Sequence, residues 1–346
     1  MDTTNEKTFA SEFYSRQIAM KELGKEGQRK LAKSKVAVVG VGGLGTVSSL
    51  YLALAGIGHL QLIDQDTVEP KNLHRQILYT MHDRYYPKAE IAADKLEKLN
   101  PLVKAEAISE NLHAGNIKKL LSGMDCVVDG LDNMLTRYLV NRTCVELGVP
   151  YIFGAAIGLE GNLSVFTPPN TPCLECILPN LLDSDLQKCS TRGVVGATPG
   201  IIGAMQAMET IKVLTGMGTP LYGKLMICDF NDMTFTNIDI TKREGCPACR
   251  GTSLSERSEK LVWLCGQNTV NVNPEEPLNL GLTQVYPTIK QQFDVRLKSR
   301  LALIFGYGDF EVSLFNGGRM LIKNVHNEEE ALKVYREILK KLNVNQ

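Results

Sequence analysis

The chain has no net charge, no long apolar run and no signal-peptide pattern in its first residues. Its 346 residues carry 38 Lys and Arg against 38 Asp and Glu, with 44% hydrophobic and 22% charged residues. That balance excludes a polycationic binder that grips a phosphodiester backbone by bulk charge, and direct nucleic-acid binding is not expected. The apolar content is that of an ordinary globular chain, not a disordered one. No stretch reaches the roughly 18 uninterrupted apolar residues of a membrane span, because Thr46, Ser48, Ser49, His59 and Gln61 interrupt the most apolar region. The start, Met1-Asp2-Thr3-Thr4-Asn5-Glu6, has neither the basic residues nor the apolar core of a signal peptide, so a cytoplasmic protein is expected. In that compartment nine cysteines read as ligands, nucleophiles or buried apolar residues before they read as a disulfide framework.

There is also no internal repeat, low-complexity tract or long like-charge block; strands and helices alternate instead. Val36 to Val39 is a β-branched run, followed by Gly40-Val41-Gly42-Gly43-Leu44-Gly45 and then by Thr46 to Ala55 at helical spacing. Leu60 to Ile63 is the next apolar run and ends at Asp64 and Asp66, which completes a βαβ unit. Cys126 to Asp129, Tyr151 to Phe153, Lys224 to Phe230 and Thr234 to Ile240 read as further strands, the last one alternating. Ala89 to Leu99, Leu135 to Leu147 and Ile201 to Leu214 read as helices. The pattern predicts an α/β fold with a Rossmann-like, doubly wound, mostly parallel sheet over residues 1–251. Composition shifts near Gly251-Thr252-Ser253. Residues 252–346 then predict a small α/β module with a hairpin, Phe310 to Phe315 and Met320 to Val325 about a Gly317-Gly318 turn, packed on a helix over Asn327 to Leu342.

Gly40-x-Gly42-x-x-Gly45 stands between a strand and a helix, where glycines let backbone amides approach a phosphate and the helix dipole favours the anion. Asp64, 19 residues past Gly45, is placed to accept hydrogen bonds from a ribose. Alone, this fingerprint fits NAD and a dehydrogenase. Asn72-Leu73-His74-Arg75-Gln76 and Pro87-Lys88 weigh the other way, since cations and an amide beside the glycine loop suit a triphosphate under nucleophilic attack. Arg16 is a third candidate cation. Asp132, after the strand ending at Asp129, is placed either to hold Mg²⁺ against the phosphates or to cap the helix beginning near Leu135.

Cys173-Leu174-Glu175-Cys176 and Cys246-Pro247-Ala248-Cys249 form two C-x-x-C knuckles. Four soft ligands suit a closed, structural tetrahedral Zn²⁺ site, with disulfides or a dithiol redox pair as the alternatives. Cys189, flanked by Lys188 and Arg192 in a polar stretch, is either an activated nucleophile or an unused surface thiol. Cys126, Cys144 and Cys228 sit in apolar patterns and read as core, and Cys265 is unassigned.

From about Phe13 to Arg250 the combination resembles the ThiF/MoeB/HesA family, E1-like enzymes that adenylate the terminal glycine of ubiquitin-like sulfur carrier proteins. The motifs are Tyr14-x-Arg16-Gln17, Gly40-x-Gly42-Gly43-x-Gly45, Asp64-x-Asp66, Asn72-Leu73-x-Arg75-Gln76, Pro87-Lys88, Asp132-Asn133, both knuckles, and Gln206-Ala207-x-Glu209. The resemblance implies that Gly43 approaches the ATP phosphates and Asp64 holds the ribose. It implies that Asn72, Arg75 and Lys88 bind the triphosphate and that Asp132 positions Mg²⁺ with Asn133 beside it. In family dimers an amino-terminal arginine reaches the neighbouring subunit's nucleotide, a role that falls to Arg16 and implies a homodimer. Cys189 precedes Gly193-Val194-Val195-Gly196 as the family's thioester- or persulfide-forming cysteine does. The implied partner is a carrier with a Gly-Gly tail, in molybdopterin, thiamine, tRNA thiolation or protein-conjugation chemistry. No rhodanese-type cysteine loop follows Gly251, so any sulfur donor, a rhodanese or a cysteine desulfurase, is expected to be a separate protein. A non-catalytic E1-like scaffold and an E1-like enzyme adenylating a tRNA nucleoside are the remaining alternatives.

Overall fold

The computed structural model describes residues 3–183, 192–251, 261–263, 268–274, 278 and 280–344. Eight strands, β1 (Lys35–Val39), β2 (His59–Ile63), β3 (Lys104–Ile108), β4 (Cys126–Asp129), β5 (Tyr151–Ile157), β6 (Glu160–Phe166), β7 (Lys224–Asp229) and β8 (Thr234–Asp239), form one sheet. Their order is β3-β2-β1-β4-β5-β6-β7-β8. Pairing is parallel from β3 through β5 and antiparallel from β5 to β8. Successive side chains of a strand point to opposite faces, and β1 is apolar on both: Val36 and Val38 join one core while Ala37 and Val39 join another. A strand buried on both faces requires helices on both, which is the doubly wound arrangement.

The helices are α1 (Thr3–Phe13), α2 (Ser15–Ile18), α3 (Gly24–Lys33), α4 (Gly43–Ala55), α5 (Lys88–Leu99), α6 (Ile117–Leu121), α7 (Met134–Leu147), α8 (Leu174–Ile177) and α9 (Ala197–Thr215). Leu31, Leu52, Leu96 and Ala207 carry α3, α4, α5 and α9 into the first core, while Leu121 and Val140 carry α6 and α7 into the second. No helix among the described residues is long and apolar enough to cross a membrane. The expected strands and helices are present with ends moved by a few residues, α9 starting four residues before the expected Ile201. β8 differs in burial: its alternation marks no buried face, and every residue from Thr234 to Asp239 is exposed on this edge strand.

A second, antiparallel sheet contains β9 (Leu261–Trp263), β10 (Thr269–Val272), β11 (Asp294–Lys298), β12 (Ala302–Tyr307), β13 (Phe310–Phe315) and β14 (Met320–Lys323). Its order is β11-β12-β13-β14-β10-β9. The expected hairpin is β13 and β14, but it lies inside six strands and not alone on a helix. Ile289 of α10 (Leu282–Gln292) and Val334, Tyr335 and Ile338 of α11 (Glu328–Lys341) fill its core. Asn327 caps α11, its side chain accepting from Glu330 N at 2.9 Å.

The strand order reverses between β1 and β4, the position where such sheets open a crevice at their carboxyl ends. Beneath it lies a buried ion pair. Arg137 of α7 donates from Nε to Asp129 Oδ2 at 3.1 Å and from Nη2 to the carbonyls of Leu131 and Gly154 at 2.7 and 2.9 Å. Tyr151 donates its hydroxyl to Asp129 at 2.8 Å, and Gln206 donates to the Asp129 carbonyl at 2.7 Å. Removing one partner of such a pair leaves the other charge buried and uncompensated. Arg137→Met should therefore lower the unfolding free energy by ~3–5 kcal/mol in urea titration. A loss within the scatter of a surface substitution such as Leu135→Ala would show that the pair does not hold this corner.

Candidate functional site

The crevice is lined from the sequence motifs. Gly40 follows β1 with φ +85°, and a Cβ on it would meet the Gly130 carbonyl at 2.6 Å. A Cβ on Gly45 would lie 1.9 Å from the Gly40 carbonyl, so Gly45 is required for the loop to close on itself and Gly40 for its approach to the turn after β4. Gly42 and Gly43 differ: they begin α4, whose amino terminus carries no side-chain cap and is open to an anion. A Cβ on Gly42 would lie 3.6 Å from Gln76 Nε2, and one on Gly43 would crowd Pro199 Cβ at 3.1 Å and lie 3.6 Å from Arg75 Cδ. Gln76 and Arg75 therefore overhang the start of α4.

Asp64 ties this loop to the end of β2. Its Oδ2 accepts from Val41 N at 2.7 Å and its Oδ1 from Asp66 N at 2.8 Å. Burial raises the Asp64 carboxyl above its ordinary value; Lys88 opposes the shift and Asp66 adds to it. Lys88 opens α5 and donates to Asp66 Oδ2 at 2.9 Å from a side chain that is only 6% exposed. Burial alone would lower this ammonium, yet Asp66, Asp64 and Asp132 carry it above its ordinary value. It is a fixed cation at neutral pH. Tyr79, which the motifs do not include, donates its buried hydroxyl to the carbonyls of Val41 at 2.9 Å and Lys88 at 3.2 Å, joining the glycine loop to α5.

Asn72 ends the short 3-10 turn Pro70–Asn72 and is buried. Gln76 Oε1 is a buried oxygen with no partner among the described residues, a donor-seeking atom beside the glycine loop. Asp132 is exposed above β4 and makes no hydrogen bond among the described residues. It does not cap α7. Asn133 does so, accepting from Thr136 N at 2.9 Å, which leaves the Asp132 carboxylate free to meet a ligand. Arg16 is not brought to this crevice: α2 sits against the carboxyl end of α4, where Gln17 Nε2 lies 3.5 Å from the Ala55 carbonyl. The glycine loop is the length of that 13-residue helix away, ~20 Å. Cys189 and Cys265 lie outside the described residues.

The two knuckles meet. Sulfur separations are 3.8 Å for Cys173–Cys176, 3.7 Å for Cys173–Cys246, 3.6 Å for Cys176–Cys249 and 3.5 Å for Cys249–Cys173. Four thiolates at ~2.3 Å from a tetrahedral ion stand about 3.8 Å apart, whereas a disulfide needs about 2.05 Å. All four are free thiols, so the cluster fits a metal ion and not a disulfide pair. Arg142 of α7 holds the first knuckle, its Nε and Nη2 each 2.8 Å from a Glu175 carboxylate oxygen. Cys126, Cys144 and Cys228 are core, as expected, and burial pushes the Cys126 thiol up to about 12. Freshly purified protein should contain one thiolate-bound metal ion per chain that Cys249→Ser releases and Cys228→Ser does not. A metal content unchanged by Cys249→Ser would remove the cluster as a metal site.

A family model described as the ThiF family matches residues 14–248. The Culex quinquefasciatus protein named adenylyltransferase and sulfurtransferase MOCS3 is 43% identical over 308 residues, covering 86% of this chain and 69% of its own length. The Drosophila sechellia protein of that name is 41% identical over 262 residues, 75% of this chain, and the chain spans 58% of its length. The Thermus thermophilus protein named sulfur carrier protein adenylyltransferase is 40% identical over 259 residues, 73% of this chain and 96% of its own. Among solved structures, that of Escherichia coli MccB with ATP superposes with a TM-score of 0.57 at 26% identity, covering 65% of this chain and 68% of that one. With the glycine loop, the acidic end of β2, the first knuckle and Cys246 of the second inside the matched span, this chain belongs to the ThiF family.

Proposed function

We propose that this chain transfers AMP from ATP to the carboxy-terminal glycine of a ubiquitin-like sulfur carrier protein. The observation that carries the reading is the set of groups around the uncapped start of α4: Lys88 and Arg75 as cations, the orphaned Gln76 oxygen, and a free Asp132 carboxylate. The names of the Thermus and Culex relatives support it, as does the likeness to MccB solved with ATP.

In this reading Asp64 accepts from the ribose, and the α4 amides at Gly43 receive phosphate oxygens with Arg75, Asn72 and Lys88 around them. Asp132 would hold Mg²⁺ with Asn133 beside it, and the ion would neutralise phosphate charge. A carboxylate oxygen of the carrier's terminal glycine attacks the α-phosphorus, and the bond to the pyrophosphate oxygen breaks with its electron pair leaving on pyrophosphate. No proton moves and no protein base is needed. The chain's contribution is to orient the two anions and offset their repulsion. A Cys189 thiolate then displaces AMP from the acyl carbon to give a thioester, or sulfur arrives as a persulfide on a separate donor such as a rhodanese or a cysteine desulfurase. Zn²⁺ is the ion that suits the Cys173, Cys176, Cys246 and Cys249 set, where it staples the two knuckles and takes no part in the chemistry. Arg16, set far from its own crevice, fits a role at the nucleotide of a partner subunit in a homodimer.

ATP–pyrophosphate exchange against a panel of purified Gly-Gly-tailed carriers tests this reading. Exchange should require one such tail and vanish when it is truncated. Asp132→Ala should reduce exchange by at least a hundredfold, while Cys189→Ser leaves it intact. Exchange that is absent with every carrier, or normal in the aspartate variant, would contradict the assignment.

A further inference from the structure

The second sheet touches the nucleotide crevice from behind. Arg319, the residue before β14, is 6% exposed and reaches out of its own module. Its Nη2 donates to the Gln65 carbonyl at 3.1 Å and to the Ser109 carbonyl at 2.9 Å, and its Nη1 donates to Asn271 Oδ1 at 2.8 Å. Gln65 lies just past the end of β2, between Asp64 and Asp66, and Ser109 follows β3. One guanidinium nitrogen thus clips the carboxyl ends of two neighbouring strands. The guanidinium lies over the face of the Phe315 ring, its carbon 3.6 Å from the ring centroid. Burial pulls this guanidinium down to about 10 against the carboxylates of Asp66, Glu110 and Asp64, so it remains charged at neutral pH.

Two further anchors reach the same region. Lys323 of β14 pairs with Glu69 at 2.7 Å and lies 3.4 Å from Thr67 Oγ1, in the loop that leads to Asn72. Glu90, two residues after Lys88 on α5, accepts from Ser299 Oγ at 2.8 Å and from Arg300 N at 3.0 Å in the turn between β11 and β12. Tyr85 packs beside Ala302, Ile304, Phe315 and Leu321. The three polar anchors therefore fall on the segments that carry Asp64, Asn72 and Lys88.

A docking face needs no buried guanidinium, because desolvating a charge costs more than burying an apolar side chain of similar size. The charge makes sense if the conformation it fixes is needed. An acidic turn with two carboxylates has several ways to relieve its repulsion, and a guanidinium held by Asn271 that donates from behind both to its Gln65 carbonyl and to the Ser109 carbonyl beside it selects one. We propose that Arg319 is a positioning residue for nucleotide recognition: it fixes the Asp64–Asp66 turn so that Asp64 meets the ribose, which makes the carboxy-terminal module part of the nucleotide site. This rests on the reading that ATP binds the crevice.

Calorimetric binding of ATP and of 2′,3′-dideoxyATP to the full chain tests it. Wild type should bind ATP and discriminate against the dideoxy analogue, which lacks the hydroxyls that Asp64 receives. Arg319→Met should weaken ATP by roughly tenfold or more, the scale of a lost hydrogen bond to a charged group. It should leave the analogue within about threefold, so that the discrimination ratio collapses toward one. Arg319→Lys, which restores the charge without the fork, should recover part of the ratio, and Lys290→Ala on α10 should change nothing. A merely structural role would weaken both ligands together. Should Arg319→Met not fold, Arg319→Lys decides on the ratio and Lys323→Met on ATP affinity, which should fall several-fold. A wild-type ratio in a folded Arg319 variant overturns the proposal while leaving adenylation in place. Failure of the wild-type chain to bind ATP overturns both.

Discussion

The acidic end of β2 is the constraint on which the rest depends. Asp64 and Asp66 sit within two residues of each other at the mouth of a parallel sheet, where like charges repel and neighbouring strands exclude water. They are stabilised by what surrounds them. Val41 N and Asp66 N point at the Asp64 oxygens, Lys88 Nζ at Asp66, and the Arg319 guanidinium at the carbonyl between them. Because Asp64 is also the tether of the glycine loop, the group that would meet a ribose is the group that sets where the phosphate-facing amides point. Ligand recognition and local folding share one carboxylate here.

The glycines divide by task. Gly45 is demanded by the loop's own closure and Gly40 by its approach to Gly130 after β4, with backbone atoms at distances that no Cβ can tolerate. Gly42 and Gly43 do not close the loop in this way: Gly42 leaves space below Gln76, and Gly43 admits Pro199 and Arg75 close to the start of α4. The reading in which the glycines only tighten packing holds for Gly40 and Gly45 and, through Pro199, for Gly43, and does not account for Gly42, which has only ordinary contacts. Across the crevice, the Asp129–Arg137–Tyr151–Gln206 network holds the Gly130–Asp132 turn from beneath, so that Asp132 need not serve as a cap and keeps its carboxylate free.

Much of this was legible in the sequence, for local reasons. A β-branched run, a glycine turn and an apolar helix declare β1 and α4 at short range, and C-x-x-C spacing declares the knuckles. β3 was not legible because its core-facing side offers only the partly buried Ala105 and Ala107 while Lys104 and Glu106 are exposed on this edge strand. In the second sheet β10 pairs with β14 across about fifty residues, which no local pattern declares, and β8 shows that alternation need not imply burial where nothing packs on an edge. The contacts that join the module to the crevice were illegible for the same reason. Arg319 and Gln65 are separated by 254 residues and Glu90 and Arg300 by 210, and no periodicity links such pairs. An arginine after a Gly-Gly turn reads as an exposed charge until its carbonyl partners are seen.

The most direct test of the central claim follows an oxygen atom. A carrier labelled with a heavy oxygen isotope in its terminal glycine carboxylate is incubated with ATP and this chain, and the acyl group is then released to hydroxylamine. If the carboxylate attacks the α-phosphorus, one labelled oxygen bridges the two and leaves with the phosphate of AMP when the acyl carbon is attacked. Mass spectrometry should find a single heavy oxygen in AMP. Unlabelled AMP, or label that stays with the carrier while ADP forms, would contradict adenylation at this site.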